Sequence, residues 1–573
     1  MHEALQRSVP AAVATPDLAV GHPVFEGDLA ALARERGDLA AWREAFRRHG
    51  AEAAGRVRGD YAVGVTLEDG CTWLAVDRFA IRTLCWRVEG PSVRFAERAD
   101  SLVEAGHALD AQAVFDYFYF HAIPSPCTVW AGVQRVPPAH TVELRRSDSG
   151  VQAVMHRHWV PQFAPLANPR IEDLKAEFRH LLEESVRTRL RGLGAAEVAC
   201  FLSGGTDSST VVGMLGRVVG APPRSFSIGF EQAGYDEMEY SRIAARHFGA
   251  EHHEYYVTPD DLVRTIPMAA ASSDQPFGNS SLVPAYHCAR VAREAGVRRM
   301  LGGDGGDELF GGNTRYAKQR VFGAYDHLPA ALGRGLLEPL LADSRLASRM
   351  PLVRKVASYV RQARVPMPER MESYNLLDRL GIADVFAPGL LELVSVQAPH
   401  RHQAEVWAGN PAESLVDRML AYDWRYTLGE IDLPKVVGAT RLAAMPVDFP
   451  MLDDALVDFS LKLPVSYKLR GLKLRWFFKE ALRGFLPDAI IVKKKQGFGL
   501  PFGPWAVRHP ALRALAEDSV RGLVDRGVLR SAFVDGLFHS RLREHPGYYG
   551  EMVWIAMMFE QWLREHAPHW RAS

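Results

Sequence analysis

The segment CFLSGGTDSSTVVGML, Cys200–Leu215, concentrates the residues best suited to chemistry in this chain. An apolar run ends at Leu202. Ser203, Gly204, Gly205, Thr206, Asp207, Ser208 and Ser209 then form a small, hydroxyl-rich turn ahead of a helical stretch. Glycines let a backbone approach phosphate closely, and the first N–H groups of a following helix offer unpaired donors and a positive dipole end. The hydroxyls of Ser203, Ser208 and Ser209 add donors, and Asp207 can hold a magnesium ion. No lysine follows the glycines, so this is not the Walker A loop that handles a γ-phosphate. An isolated Ser-Gly-Gly reads as a glycine turn with a well-capped helix; the whole string between a strand and a helix favours phosphate. A second string, LGGDGGDELFGG (Leu301–Gly312), reads alone as a calcium-type loop or tight turn. Two such loops at the ends of successive strands favour a nucleotide site, because ligands sit at the carboxyl ends of such sheets. A third, KKKQGFGLP (Lys493–Pro501), reads alone as a solvated charge run.

The elements that must carry these loops follow from apolar patterning. YAVGVTL from Tyr61 and CTWLAV from Cys71 have strand length and are separated by a turn-like EDG. DAQAVFDYFYFHA from Asp110 has helical spacing with an N-cap. VPQFAPLANP, Val160 to Pro169, holds three prolines and little periodicity, and is read as the linker between two domains, residues 1–160 and 161–573. An amphipathic helix, IEDLKAEFRHLLEESVRTRLRGL, comes next, then an apolar strand from Val198 to Leu202, the glycine turn and another helix. RSFSIGF and RRMLGG each read as a buried strand ending at a glycine turn. Alternating strand, loop and helix predicts a doubly wound parallel sheet. From about Asp326 the chain is expected to be mostly helical to its end.

The three strings together resemble the asparagine synthetase family. SGGTDSS matches the family's pyrophosphate loop, SFSIGF with YDEMEYSRIAARHFGAEHHE its next strand and helix, and LGGDGGDELFGG its third signature. KKKQGFGLP is similar to its late motif RxKxGFxxP, with Lys493 in place of the usual arginine. In that family a carboxylate attacks the α-phosphate of ATP, pyrophosphate departs, and an amine opens the acyl-adenylate to an amide and AMP. The resemblance implies pyrophosphate contacts from Ser203 to Ser209, with Gly204, Gly205 and Ser208 among them. It places Leu202 and Ile228 beside adenine, Gly302 and Gly303 toward the nucleotide, and Asp307 with Asp207 on magnesium. Asp304 falls near the reacting carboxyl. Lys495 falls on the functional lysine, where a cation would stabilise charge on the α-phosphate and on the tetrahedral intermediate. The implied fold is a shortened Ntn-like α/β/β/α sandwich followed by an adenine-nucleotide α-hydrolase-like, pyrophosphate-loop parallel-sheet domain with a helical C-terminal part.

Two departures bear on substrate. The glutamine-dependent members begin Met-Cys-Gly and use that cysteine to release ammonia; here residue 2 is His2 and the first cysteine is Cys71. GDYAVGVTLED from Gly59 and VDRFAIRTL, Val76–Leu84, still match that domain's landmarks. The fold is therefore expected to persist, degenerate, without glutaminase activity. The family's KVDRASMAxSLExRVPFLD is met by KVVGATRLAAMPVDFPMLD, Lys435–Asp453, where Pro446 replaces a carboxylate and Asp448 an arginine. That stretch builds the acceptor side in the family, so aspartate as acceptor is placed in doubt while the adenylation machinery is not.

Composition bounds the rest. Lys plus Arg and Asp plus Glu both number 68, and 47% of the 573 residues are hydrophobic, 24% charged and 10% aromatic. This is ordinary globular composition, with no net field to hold nucleic acid. Five scattered cysteines make neither a disulfide framework nor a CxxC zinc site. No apolar run reaches bilayer-spanning length and no signal peptide is read, so the expected home is the cytoplasm. His156 with His158, and His252 with His253, lack metal-site spacing and are assigned to packing. The Arg-rich stretch from Arg345 to Arg370 is assigned to a solvated face.

The expected function is ATP- and magnesium-dependent amide synthesis, joining a small-molecule or peptide carboxylate to an amine or ammonia. Asparagine from aspartate and free ammonia is the family default. Amide or lactam synthesis of the β-lactam synthetase or lasso-peptide cyclase kind is the alternative. A non-catalytic ATP-binding protein and a pyrophosphate-loop tRNA-modifying enzyme rank behind, and a homodimer is left open.

Overall fold

The computed structural model describes residues 16–572 apart from 149, 327–358, 373 and 495–498. Its contacts divide the chain into two units, one formed by residues up to Ala113 with Ile123–Val160, the other by Val114–Ala122 with Pro161 onward.

In the first unit, β1 (Leu18–Gly21), β2 (Tyr61–Thr66), β3 (Thr72–Val76), β7 (His140–Ser147) and β8 (Gly150–Arg157) form an antiparallel sheet in that order. A second sheet orders β5 (Ser92–Ala96), β4 (Cys85–Glu89) and β6 (Val133–Arg135). The period-two alternation of a strand sorts its side chains between two faces. Val63, Val65 and Trp73 belong to one core with Leu29 from α1 (Gly27–Arg36), Trp42 and Phe46 from α2 (Asp38–His49), and Phe25 just before α1. Leu74 and Val76 turn the other way, onto Trp86 and Phe95 of the second sheet. Gly64 is required between the layers, because a Cβ there would lie 2.5 Å from the Phe95 ring. Helix on sheet on sheet is the expected shortened sandwich. Next in the chain, α3 (Ala111–Phe120) starts where the Asp110 carboxylate accepts from the backbone N–H groups of Gln112 and Ala113.

In the second unit, α4 (Ile171–Leu190) leads into β9 (Val198–Phe201), α5 (Thr206–Val219), β10 (Arg224–Phe230), α6 (Met238–Phe248), β11 (Glu251–Val257), α7 (Pro259–Ser272), α8 (Leu282–Glu294) and β12 (Arg299–Leu301). The strands are parallel, in the order β11–β10–β9–β12–β13, where β13 is Val447–Asp448. The chain steps outward from β9 to β11 and then returns to the far side of β9. Strand order reverses there, which opens a crevice at the carboxyl ends of β9 and β12. Beyond β12 come α9 (Gly306–Phe310) and α10 (Thr314–Asp326), and the described residues from 359 onward are mostly helical, as expected. β13 departs from that expectation. Its two residues gain strand geometry only by pairing with Met300 and Leu301, a long-range contact that a two-residue pattern cannot announce. No described helix is long and apolar enough to cross a membrane.

Stability of the first unit should depend on acid. Burial works against ionisation of Asp60, but a hydrogen bond with His22 and the Arg82 guanidinium hold its carboxyl down at about 2, below the ordinary 3.8. A depressed folded pKa contributes stability above the unfolded value and loses it as pH falls through the folded one, here from near 4 toward 2. Asp60→Asn should therefore be less stable than the wild type by about 2 kcal/mol at neutral pH, with the gap closing toward pH 2. Urea melts followed by tryptophan fluorescence check this.

Candidate active site

The loop after β9 owes its shape to its glycines and hydroxyls. Gly204 has φ of +68°, and a Cβ there would meet the Ser241 backbone nitrogen at 2.6 Å. The Ser203 backbone N–H donates to Ser208 Oγ at 3.1 Å, and the two serine hydroxyls lie 3.0 Å apart. Leu202 is held by its neighbour strand: its N–H donates to Phe226 O at 2.9 Å, and its own carbonyl accepts from Ser227 Oγ and from Ser241 Oγ. The loop after β12 packs against this one backbone to backbone. A Cβ on Gly303 would fall 2.8 Å from Ser208 N and 3.0 Å from Asp207 C.

That approach brings Asp207 and Asp307 together around one cation. Arg475 donates from Nη2 to both carboxylate oxygens of Asp207 and lies 3.0 Å from Asp307 Oδ1. Its Nη1 donates to Thr206 Oγ1 at 2.6 Å. Burial opposes the charge on Arg475, yet Asp207 and Asp307 raise its pKa above the ordinary value. Two carboxylates converging on a positive group are the donor set a hard divalent ion takes, and the guanidinium marks where such an ion would sit.

Two cavities open beside the loops. One, of about 610 Å³, is bordered by Ser203, Gly205, Thr206, Asp207 and Asp307, and by the cations Arg475, Lys479, Lys493 and Lys494. Burial and the charges of Arg475 and Arg483 push the Lys479 amine below its ordinary pKa. Lys493 Nζ is 3.2 Å from Glu237, donates to Gly204 O at 3.3 Å and lies 4.3 Å from the Tyr240 ring centre. The other cavity, of about 440 Å³, is lined by Leu202, Ser208, Ile228 and Gly303, and by Asp304, Asp432 and Lys435. Lys435 Nζ is 2.9 Å from Asp432 and 3.9 Å from Asp304. Burial raises the Asp304 carboxyl above the usual range and Asp432 adds to that, while Lys435 pulls it down.

Of the residues singled out from sequence, Leu202, Ser203, Gly205, Asp207, Ser208, Ile228, Gly303, Asp304 and Asp307 border one or both cavities. Gly204 and Gly302 instead shape the loops from behind: Gly204 offers its carbonyl to Lys493, and a Cβ on Gly302 would crowd Asp304 and Phe449 at 3.0 Å. Ser209 departs from its expected place, because one step further into α5 its side chain turns into the protein and is fully buried, bordering neither cavity. Lys495 lies outside the described residues. Pro446 and Asp448 also border neither cavity. Asp448 is buried beside Arg299 and Arg191, at 3.2 and 3.5 Å. The histidine pairs are packing: His253 stacks on Phe226 at 4.6 Å, and His158 Nε2 donates to the Val76 carbonyl at 2.9 Å in a site where burial lowers its pKa to about 4.

Sequence reading missed Arg475, Lys435, Asp432 and Lys479. The first two fall 268 residues beyond Asp207 and 131 beyond Asp304, so no local pattern ties them to the loops. The GLKLR turn before Trp476 was a signal only in hindsight. The close loop contact makes a direct prediction: Gly303→Ala should force the two loops apart and lower stability by about 1–3 kcal/mol, read as a fall in melting temperature.

Comparison with known proteins agrees with this geometry. A model described as "Asparagine synthase" matches residues 177–564, and one described as "Glutamine amidotransferase domain" matches residues 32–159. Asparagine synthetase [glutamine-hydrolyzing] 1 of Bacillus subtilis is 25% identical over 528 residues, 90% of this chain and 79% of its own. A putative asparagine synthetase [glutamine-hydrolyzing] of Mycobacterium tuberculosis is 27% identical over 489 residues, covering 82% of this chain and 71% of its own. Amidase chry2 of Gibberella zeae is 22% identical, covering 87% and 78%. The chain belongs to the asparagine synthase family.

Proposed function

We propose that this protein makes an amide by AMP-forming, ATP-dependent activation of a carboxylate. The observation that carries this reading is the convergence of Asp207 and Asp307, from loops ending adjacent parallel strands, on one positive group between the two cavities. In this reading Leu202 and Ile228 border adenine, and Ser203, Gly205 and Ser208 donate to the pyrophosphate as it forms. A magnesium ion held by Asp207 and Asp307 would offset phosphate charge.

The chain's own residues divide the remaining work. Arg475, Lys479 and Lys493 line the side of the loop toward which pyrophosphate would leave, and each stabilises negative charge more strongly in a partly dry cavity than in water. Asp304, Asp432 and Lys435 lie on the opposite side, where the acyl group and the amine would meet. Holding both there turns a bimolecular attack into a local one. Lys495 is assigned to the α-phosphate and the tetrahedral intermediate. We assign ammonia or another free amine as nucleophile, without glutamine hydrolysis. Of the first unit's cysteines Cys71 and Cys85 are buried and Cys127 is exposed, and burial pushes the Cys71 thiol up to about 11, far from an activated nucleophile. Aspartate is the default acid. A lactam or amide synthetase with another acceptor is the second reading.

ATP–pyrophosphate exchange over a panel of carboxylic acids tests the proposal. One acid should drive exchange, and AMP release should then require ammonium or an amine and not glutamine. Asp207→Asn and Asp307→Asn should each lower exchange by about 10²-fold or more, and Lys495→Ala by about 10²- to 10³-fold. No exchange with any acid, despite ATP binding, would overturn it.

The pH profile supplies a second test. Lys435 favours the ionised form of Asp304, so Lys435→Gln should raise that carboxyl further and move the acid limb of exchange to higher pH. An unmoved limb would remove Asp304 from the reacting set.

A further inference from the structure

Arg475 stands at the point where the two loops close, and its surroundings leave little slack. It caps the short helix Trp476–Ala481 from the left-handed region, at φ +53°, and is 6% exposed. Its guanidinium lies over the Phe478 ring at 4.8 Å while its two terminal nitrogens serve Asp207, Asp307 and Thr206. Glycine backbones wall in the same space. A Cβ on Gly312 would lie 1.7 Å from Asp307 Oδ1 and 2.6 Å from Arg475 Nε, and one on Gly306 would lie 2.3 Å from Asp207 Oδ1 and 3.1 Å from Arg475 Nη2. Magnesium demands near-octahedral geometry and keeps several of its waters. A hydrated ion and this guanidinium cannot share the gap.

We propose that Arg475 is an internal counter-ion that occupies the divalent-metal seat between Asp207 and Asp307, so that metal enters only as Arg475 withdraws. The physical reason is mutual exclusion at one pair of carboxylates. Two carboxylates held close together, each only 20% exposed, repel one another unless a positive group lies between them. The guanidinium, charged at any accessible pH and shaped to bridge carboxylates, supplies it while metal is away. The guanidinium therefore offsets part of the charge at this point without metal, and free divalent ion binds it weakly. The negative charge of a bound nucleotide favours the exchange of guanidinium for metal, so metal loads with nucleotide and not before it. The nucleotide step rests on the adenylation reading; the competition between Arg475 and metal does not.

The test is Mn²⁺ binding to the full chain without nucleotide, followed by electron paramagnetic resonance, in wild type, Arg475→Gln and Arg475→Lys. Wild type should bind Mn²⁺ weakly and Arg475→Gln at least about tenfold more tightly, since a neutral amide leaves both carboxylates to the ion. Adding Asp307→Asn to Arg475→Gln should abolish the gain. Equal affinity in wild type and Arg475→Gln would overturn the proposal. Should near-ultraviolet circular dichroism show that Arg475→Gln does not fold, Arg475→Lys decides. A single ammonium cannot bridge both carboxylates as the fork does, so affinity should rise several-fold, and an unchanged affinity would overturn the proposal. Neither ATP nor an acid substrate enters this measurement. A gain in Mn²⁺ affinity alongside absent pyrophosphate exchange would sink the adenylation reading alone.

Discussion

Two carboxylates from different loops converge on the Arg475 guanidinium, and much of the second unit is arranged around that meeting. Asp207 and Asp307 come from different loops, and bringing like charges together in a buried place is unfavourable without a counter-ion. Three arrangements answer this. β9 and β12 pair in parallel register, which ends their loops side by side. Gly303, Gly306 and Gly312 remove the Cβ atoms that would hold the loops or their carboxylates apart. Arg475, brought in from far along the chain, bridges the pair.

The same loop pair separates two chemically different spaces. On the Arg475 side the wall is rich in lysine and arginine, suited to a polyanion. On the Ile228 side the wall mixes apolar groups with Asp304, Asp432 and Lys435, suited to a flat base and a small polar reactant. Lys493 ties the first space to the loop by donating to the Gly204 carbonyl while it pairs with Glu237.

The stretch Lys435–Asp453 shows why a motif departure has to be judged by where the side chain points. Its first residue, Lys435, keeps a cation in the cavity beside Asp304. Pro446 and Asp448 sit at β13, where strand alternation and pairing with Met300 and Leu301 direct them elsewhere. The Asp448 carboxylate is absorbed by Arg299 and Arg191. The charge that replaces the motif's arginine is thus an ion-paired group that borders neither cavity.

Local pattern was enough for most of the scaffold and for one side of the site. The apolar runs at Val198, Arg224 and Arg299 are strands because each is short, buried and closed by a glycine turn, and the SGGTDSS and GDGGDE strings announce their loops through glycine and carboxylate spacing alone. What sequence could not supply was direction and distance. Ser209 is one hydroxyl among several in the string, and only the pitch of α5 turns it into the protein. Arg475 and Lys435 look like any cations on short helices until the sheet order carries them to the loops. β13 exists only because its partner strand is there. Spacing along the chain determines which groups can act together when they are near in sequence; when the partners lie more than a hundred residues apart, only the packed sheet decides which of them meet.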